Sequence, residues 1–301
     1  LELILAAMAE LTALATYFQL WFPQVPAWLI QVIFLVGLTL VNLAFVSVFG
    51  KAETALSGIK ILTILALIVI GCWMVLVHHT GISGSQASVT NLTRNFTMFP
   101  NGIGQFIFAF PMVFFAFQGM EFVGITTAET KGPRKVLPKA INQVIGRILF
   151  FYIGSLAVIM MIAPWQKISA DQSPFVQIFK LAGLPAAAMV INFVVIIAAT
   201  STLNSAIFST GRHLYQLAVE SNSNHLRAFR KISKKGIPIN SVLFSAAMML
   251  GAPLLSLFSQ LSSAFTFVAS VSGDIYILVC ILTMIVHFKY RHSQDFLPNG
   301  F

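Results

Sequence analysis

Eight runs of apolar residues, each long enough to cross a lipid bilayer, most constrain what this chain can fold into. A helix needs about 20 mostly apolar residues to span the hydrocarbon core. The runs are separated by turn-forming glycines and prolines, and they lie roughly at 1–22, 27–49, 54–77, 103–127, 141–163, 181–210, 239–258 and 262–288. Charged residues make up 9% of the 301 positions, against about 25% in soluble domains. The sequence therefore predicts an all-α membrane protein, a polytopic helix bundle.

Positive charge is distributed unevenly between the two sets of loops. The loops after the second, fourth and sixth spans are basic, and Lys289 and Arg291 follow the eighth span. The opposite loops contain Arg94, Lys167 and Lys180. Because cytoplasmic loops are enriched in Lys and Arg, we predict that the first set lies in the cytoplasm. Membrane topology thus accounts for the net charge of +9. The sequence contains no basic stripe interleaved with aromatic residues, so we expect no nucleic-acid partner.

The span near 103–127 contains a carboxylate, Glu121, close to Gly119. A charge in hydrocarbon costs a few kcal/mol or more, so it normally faces a protein interior or a water-filled path. Gly119 and Pro111 favour a break in the helix, which would offer backbone groups to a ligand. The combination predicts a discontinuous helix at a transport site, and close helix packing at the glycine is the alternative.

Three further ionisable residues lie within the apolar spans: Lys60, Glu10 and Asp274. Lys60 is either a lysine that extends to the membrane interface or a buried amine able to gain and lose a proton. Glu10 is either a structural hydrogen-bond acceptor between helices or a proton carrier. Asp274 is interpreted as a polar residue that faces the bundle, and nothing near it in the sequence assigns it a task.

A polar stripe follows one face of the sixth span. Ser201, Asn204 and Ser205 fall near this face at helical spacing. Hydroxyl and amide groups on membrane helices often hold helices together, but a stripe this dense can also coordinate a cation or an ammonium group. The histidines all lie at span ends or in loops, so we expect no metal site and no cofactor.

Several blocks occur in the order typical of one transporter family. They are AELTA at 9–13, the Ile59–Lys60 pair, FQGMEFVGITTAETKGP at 117–133, LPKAIN at 137–142, and the run from Asn204–Ser205 to Ser209–Arg212. With these blocks the chain resembles the amino acid permeases of the amino acid–polyamine–organocation superfamily. The runs at 173–176, 183–187 and 191–195 are most similar to the branch that transports D-serine, D-alanine and glycine.

The resemblance implies a fold and a domain organisation. Members of the family have twelve helices, whose core is two five-helix inverted repeats with broken first and sixth helices. The chain, 1–301, would be one transmembrane domain truncated at both ends and covering about helices three to ten. Residues 1–77 would be the last three helices of the first repeat, 103–288 the five helices of the second repeat, and 289–301 the start of a cytoplasmic linker.

The resemblance also implies a site. Phe117, Gln118 and Gly119, with Glu121, would line the substrate pocket at the broken sixth helix. Lys60 would take the place of a sodium ion and couple transport to protons, with Glu10 as the second candidate. The cation-site or helix-contact residues would be Ser201, Asn204 and Ser205.

The function we predict is import of a neutral amino acid by proton symport with alternating access. The location would be a bacterial cytoplasmic membrane, and the partners would be the amino acid, the proton and the bilayer. An exchanger of the same fold is the nearest alternative. A membrane-embedded enzyme would need a nucleophile–base pair or a metal cluster at one depth, and neither is visible in the sequence. A nontransporting, sensor-like homologue is the remaining alternative.

Overall fold

The chain folds as a bundle of α-helices. The computed structural model describes residues 1–44, 49–80, 86–94, 96–119, 133–169, 171–233, 236–293 and 296. Within these ranges helices dominate and no β-strand forms, which confirms the predicted all-α class. The predicted residue Glu121 lies outside the described residues.

The helices of the described residues are numbered in chain order. Their bounds are α1 Glu2–Gln19, α2 Ala27–Ala44, α3 Phe49–Leu76, α4 Gly102–Phe108, α5 Phe110–Ala116, α6 Pro133–Ile148, α7 Gly154–Ile162, α8 Pro174–Leu181, α9 Pro185–Glu220, α10 Ile239–Met249, α11 Gly251–Phe258 and α12 Leu261–Arg291. Proline occupies the first turn of α5, α8 and α9, where its fixed φ suits a helix start and its missing N–H leaves no bond unmade. A π-helical turn, Leu149–Ile153, joins α6 to α7 without a gap.

Six helical stretches of the described chain are long and apolar enough to cross a membrane, by length and composition. They are Ala27–Ala44, Gly58–Leu76, Pro138–Ile162, Pro185–Glu220, Ile239–Phe258 and Leu261–Arg291. Each overlaps one of the eight predicted spans. The first predicted span forms α1, an 18-residue helix whose hydropathy is lowered by Glu2, Glu10 and Gln19. The span predicted near 103–127 is described up to residue 119, and its helical part, Gly102–Ala116, is a shorter apolar stretch.

Two apolar cores hold the bundle together, and α9 contributes to both. In the first core α1 packs against α9 and α12, through buried side chains such as Leu11, Leu203 and Val268. In the second core α3 packs against α7, and α8 packs against the start of α9. Gly71 of α3 lies so close to α7 that a Cβ atom there would come within 2.0 Å of Val158 Cγ1. Small residues let membrane helices approach in this way.

Candidate functional site

The α5 helix ends at a backbone turn in the middle of the sequence block that indicated a helix break. The amide nitrogens of Phe117 and Gln118 donate to the carbonyl oxygens of Phe114 and Phe115, at 3.0 and 3.2 Å. Gly119 follows with a φ of 96°, in the left-handed region that glycine adopts without the steric cost of a Cβ atom. The end of α5 therefore presents backbone groups that are no longer bonded in a regular helix.

The end of α5 is attached to α12 by polar contacts. Gln118 Nε2 donates to the carbonyl oxygen of Ser272 at 2.9 Å and to its Oγ at 3.0 Å. The Tyr276 hydroxyl lies 3.5 Å from the carbonyl oxygen of Phe117. Between them, Gly273 lies against α5, since a Cβ atom there would be 1.8 Å from the carbonyl oxygen of Pro111. One turn of α12 thus contacts the backbone of α5 directly.

Lys60 of α3 points at the polar stripe of α9. Its Nζ donates to Ser201 Oγ at 3.0 Å. Ser201 is 3% exposed, while Lys60 is half-buried. The ammonium group is therefore directed at a neighbouring helix, where a charged donor and a hydroxyl acceptor form a charge-assisted hydrogen bond.

The other two residues of the stripe have different surroundings. Asn204 is buried, and its Oδ1 accepts a hydrogen bond from Asn42 Nδ2 of α2 at 2.6 Å. Asn42 Nδ2 also donates to the carbonyl oxygen of Leu38 at 3.0 Å. Ser205 is half-buried. The stripe is thus divided between a contact with Lys60 at Ser201 and a contact between helices at Asn204.

Glu10 of α1 lies near Lys60. Its carboxyl group is close enough to the Lys60 ammonium and to the side chains of Tyr17 and Tyr152 for its charge to act on them. The ring of Tyr152 in turn stacks on Phe117, with centroids 5.5 Å apart and an interplanar angle of 20°. Tyr152 therefore connects the end of α5 with the region that contains Glu10 and Lys60.

The sequence alone did not single out Asn42, Ser272 or Tyr276. Each is a polar residue in an apolar helix, which is the signal by which they could have been found. Their partners depend on helix packing rather than on sequence spacing. Asp274, which we interpreted as facing the bundle, is instead exposed on α12, whereas Ser272, two residues before it, is fully buried.

Comparison with known proteins gives consistent matches along the whole chain. The model of a family described as amino acid permease matches residues 2–295. The DL-alanine permease SerP2 of Lactococcus lactis subsp. cremoris is 45% identical over 302 residues, which cover 100% of this chain and 65% of that protein. The serine permease SerP1 of the same organism is 43% identical, with 100% and 67% covered.

A third relative agrees with the branch indicated by the sequence. The D-serine/D-alanine/glycine transporter of Escherichia coli (strain K12) is 40% identical over 295 residues, which cover 98% of this chain and 62% of the transporter. The chain thus spans about two thirds of the length of these curated relatives.

Proposed function

Because the chain belongs to the amino acid permease family, we propose that the full protein imports a neutral amino acid by proton symport. The chain belongs to a multi-pass protein of the cell membrane, as both its apolar helices and its relatives indicate. The relatives are named for alanine, serine, glycine and their D-forms, which supports small neutral amino acids as substrates. The relatives are named as permeases and transporters, which also favours transport over enzymatic catalysis.

We place the substrate at the end of α5. Phe117, Gln118 and Gly119, together with Glu121, would form this half of the pocket, because a broken helix offers backbone donors and acceptors at membrane depth. The charged amino and carboxyl groups of an amino acid need such partners when they leave water. Import would proceed by alternating access, in which one group of helices rocks against the other around the bound substrate. Residues 1–77 would contribute the last three helices of the first repeat and residues 103–288 the five helices of the second repeat.

The hydrogen bond from Lys60 to Ser201 is the single observation that most supports proton coupling. When protonated, the lysine can hold α3 against α9, as a bound cation would. When neutral, it loses both the charge-assisted bond and its attraction to Glu10. Protonation would therefore favour one arrangement of the helices, and coupling requires that the substrate binds this arrangement more tightly.

Replacement of Lys60 tests the coupling role. In the full protein, Lys60→Met should abolish proton-driven accumulation of serine or alanine, because the side chain keeps its length but loses the group that binds the proton. The measurement is uptake of labelled amino acid into proteoliposomes with an imposed proton gradient.

Lys180→Met is the matched control. Lys180 belongs to α8, and its Nζ donates to Gln172 Oε1 at 3.0 Å, so its loss should leave accumulation unchanged. Membrane insertion of both variants is measured by their yield in the membrane fraction. Normal pH-dependent accumulation by the Lys60→Met variant would contradict the coupling role.

A further inference from the structure

Ser272 of α12 lies where three helices meet. Its side chain is fully buried, with 0% exposed. It contacts Gln118 at the end of α5 and the backbone of Glu2 in the first turn of α1. These surroundings connect the serine to the proposed substrate pocket.

The hydrogen bonds of this junction use all the available hydrogens of Gln118 Nε2. Its two N–H groups donate to Ser272 O at 2.9 Å and to Ser272 Oγ at 3.0 Å. The single hydroxyl hydrogen of Ser272 has two acceptors within reach, the carbonyl oxygen of Glu2 and Gln118 Oε1, each at 3.2 Å. Because both hydrogens of the amide nitrogen are engaged, this nitrogen is an anchor for the backbone and is not available to a ligand.

The neighbouring residues of α12 reinforce the anchor. Gly273 allows α12 to lie in contact with the carbonyl group of Pro111 in α5. Tyr276, one turn further along, directs its hydroxyl at the carbonyl oxygen of Phe117. Three residues within five positions of α12 therefore contact α5 along its length and at its end.

We propose that Ser272 is a positioning residue of the substrate pocket that acts through Gln118. By fixing the Gln118 side chain, Ser272 holds the turn at Phe117 and Gly119 in the geometry that receives the substrate. Without the hydroxyl, the half-buried Gln118 side chain keeps its bond to the carbonyl oxygen of Ser272 but loses its bonds to Oγ, so it is held less firmly. The turn then becomes less well ordered, and the free energy needed to order it weakens substrate binding. This proposal rests on the proposed function.

The prediction for Ser272→Ala is weaker substrate binding without a defect in coupling. In the full protein, the KM for labelled serine or alanine should rise roughly three- to tenfold, as expected for one hydrogen bond. The maximal rate per molecule and the pH profile should stay as in the wild type. If the alanine variant does not fold, Ser272→Cys keeps the size of the side chain with a weaker donor and should show a smaller rise in KM.

Ser245→Ala is the matched control. Ser245 of α10 is also a buried serine, at 1% exposed, and its Oγ has no hydrogen-bond partner within the described residues. Removing this hydroxyl breaks no hydrogen bond in the described structure, so the KM should not change. Equal KM values for the Ser272→Ala and Ser245→Ala variants would overturn the positioning role.

A double-mutant cycle tests whether Ser272 acts through Gln118. Gln118→Leu should raise the KM, and adding Ser272→Ala should raise it no further, because the contact is already lost. If the two effects multiply instead, Ser272 acts independently and the proposal fails. Absence of saturable uptake by the wild type would refute the proposed function itself, whereas wild-type uptake with an unaltered KM in Ser272→Ala would refute the positioning role alone.

Discussion

At the scale of single residues, polar groups in this bundle bond across helix boundaries. Lys60 bonds to Ser201, Asn42 to Asn204, and Gln118 to Ser272. In hydrocarbon an unbonded polar group costs several kcal/mol, so such pairs determine which helix faces meet. The proposed site contains two of these three pairs, and the third lies one turn of α9 from Ser201.

Ser201→Ala should shift the pH dependence of uptake to more acidic values. The hydroxyl accepts a hydrogen bond from the Lys60 ammonium, so its removal makes the protonated lysine less favourable. A higher proton concentration is then needed for the same rate, with a shift of about one pH unit for a charge-assisted bond. The measurement is initial uptake in proteoliposomes across external pH values from 5 to about 8, a range chosen around neutrality.

Ser205→Ala is the control for this shift. Ser205 belongs to the same predicted polar stripe of α9, one turn from Ser201, and is half-buried, but no hydrogen bond joins it to Lys60 in the described part of the chain. Its pH profile should match that of the wild type. If the Ser201→Ala profile also matches, the hydroxyl does not take part in coupling.

At this scale, the sequence predicts features that depend on neighbouring residues and misses those that depend on residues far away in the chain. The turn at Phe117–Gly119 could be predicted because glycine and proline affect the backbone conformation only within a few residues. Lys60 and Ser201 were identified as polar residues in apolar spans, and the structure adds that they are hydrogen-bonded. The partners of Gln118 and Asn204 were not predicted, because Ser272 and Asn42 lie 154 and 162 positions away in the chain. The roles of all these residues stay predictions.

At the scale of elements, length and apolar character explain why most helices were predictable. Helix α12, Leu261–Arg291, was predicted from hydropathy as the span 262–288. Local irregularities within the helices were not predictable, because they arise from packing between helices. The π-helical turn Leu149–Ile153, which contains Tyr152, has no sequence signature, although such turns often occur at functional sites.

Gly71→Ala should destabilise the contact between α3 and α7. The new Cβ atom would lie 2.0 Å from Val158 Cγ1 and 3.0 Å from Ile162 Cδ1, and both neighbours are buried. Overpacking of this kind costs about 1–3 kcal/mol. The measurement is thermal unfolding of the detergent-solubilised full protein, with a lower midpoint expected.

Gly58→Ala provides the control on the same helix. A Cβ atom at Gly58 would meet nothing within 4 Å, and alanine favours the helix more than glycine does. The unfolding midpoint should therefore be unchanged or slightly higher. A Gly71→Ala midpoint equal to that of the Gly58→Ala variant would show that α3 and α7 do not pack as described.

At the scale of the whole molecule, the distribution of basic residues predicts the orientation in the membrane. In a background with Cys72→Ala and Cys280→Ala, we expect Thr93→Cys to react with a membrane-impermeant maleimide in intact cells. Asn222→Cys, after α9, should react once the cells are permeabilised. Both positions are exposed, so a difference in their labelling would report the side of the membrane and not burial within the fold. The reverse labelling pattern would contradict the predicted orientation.

Uptake driven by a proton gradient is the decisive measurement for proton symport by the full protein. The full protein is reconstituted in vesicles that contain no amino acid, with an acidic exterior and a neutral interior. We expect labelled serine or alanine to accumulate inside above its external concentration, and a protonophore to abolish this accumulation. Uptake that requires amino acid inside the vesicles and is indifferent to the gradient would contradict symport and identify an exchanger.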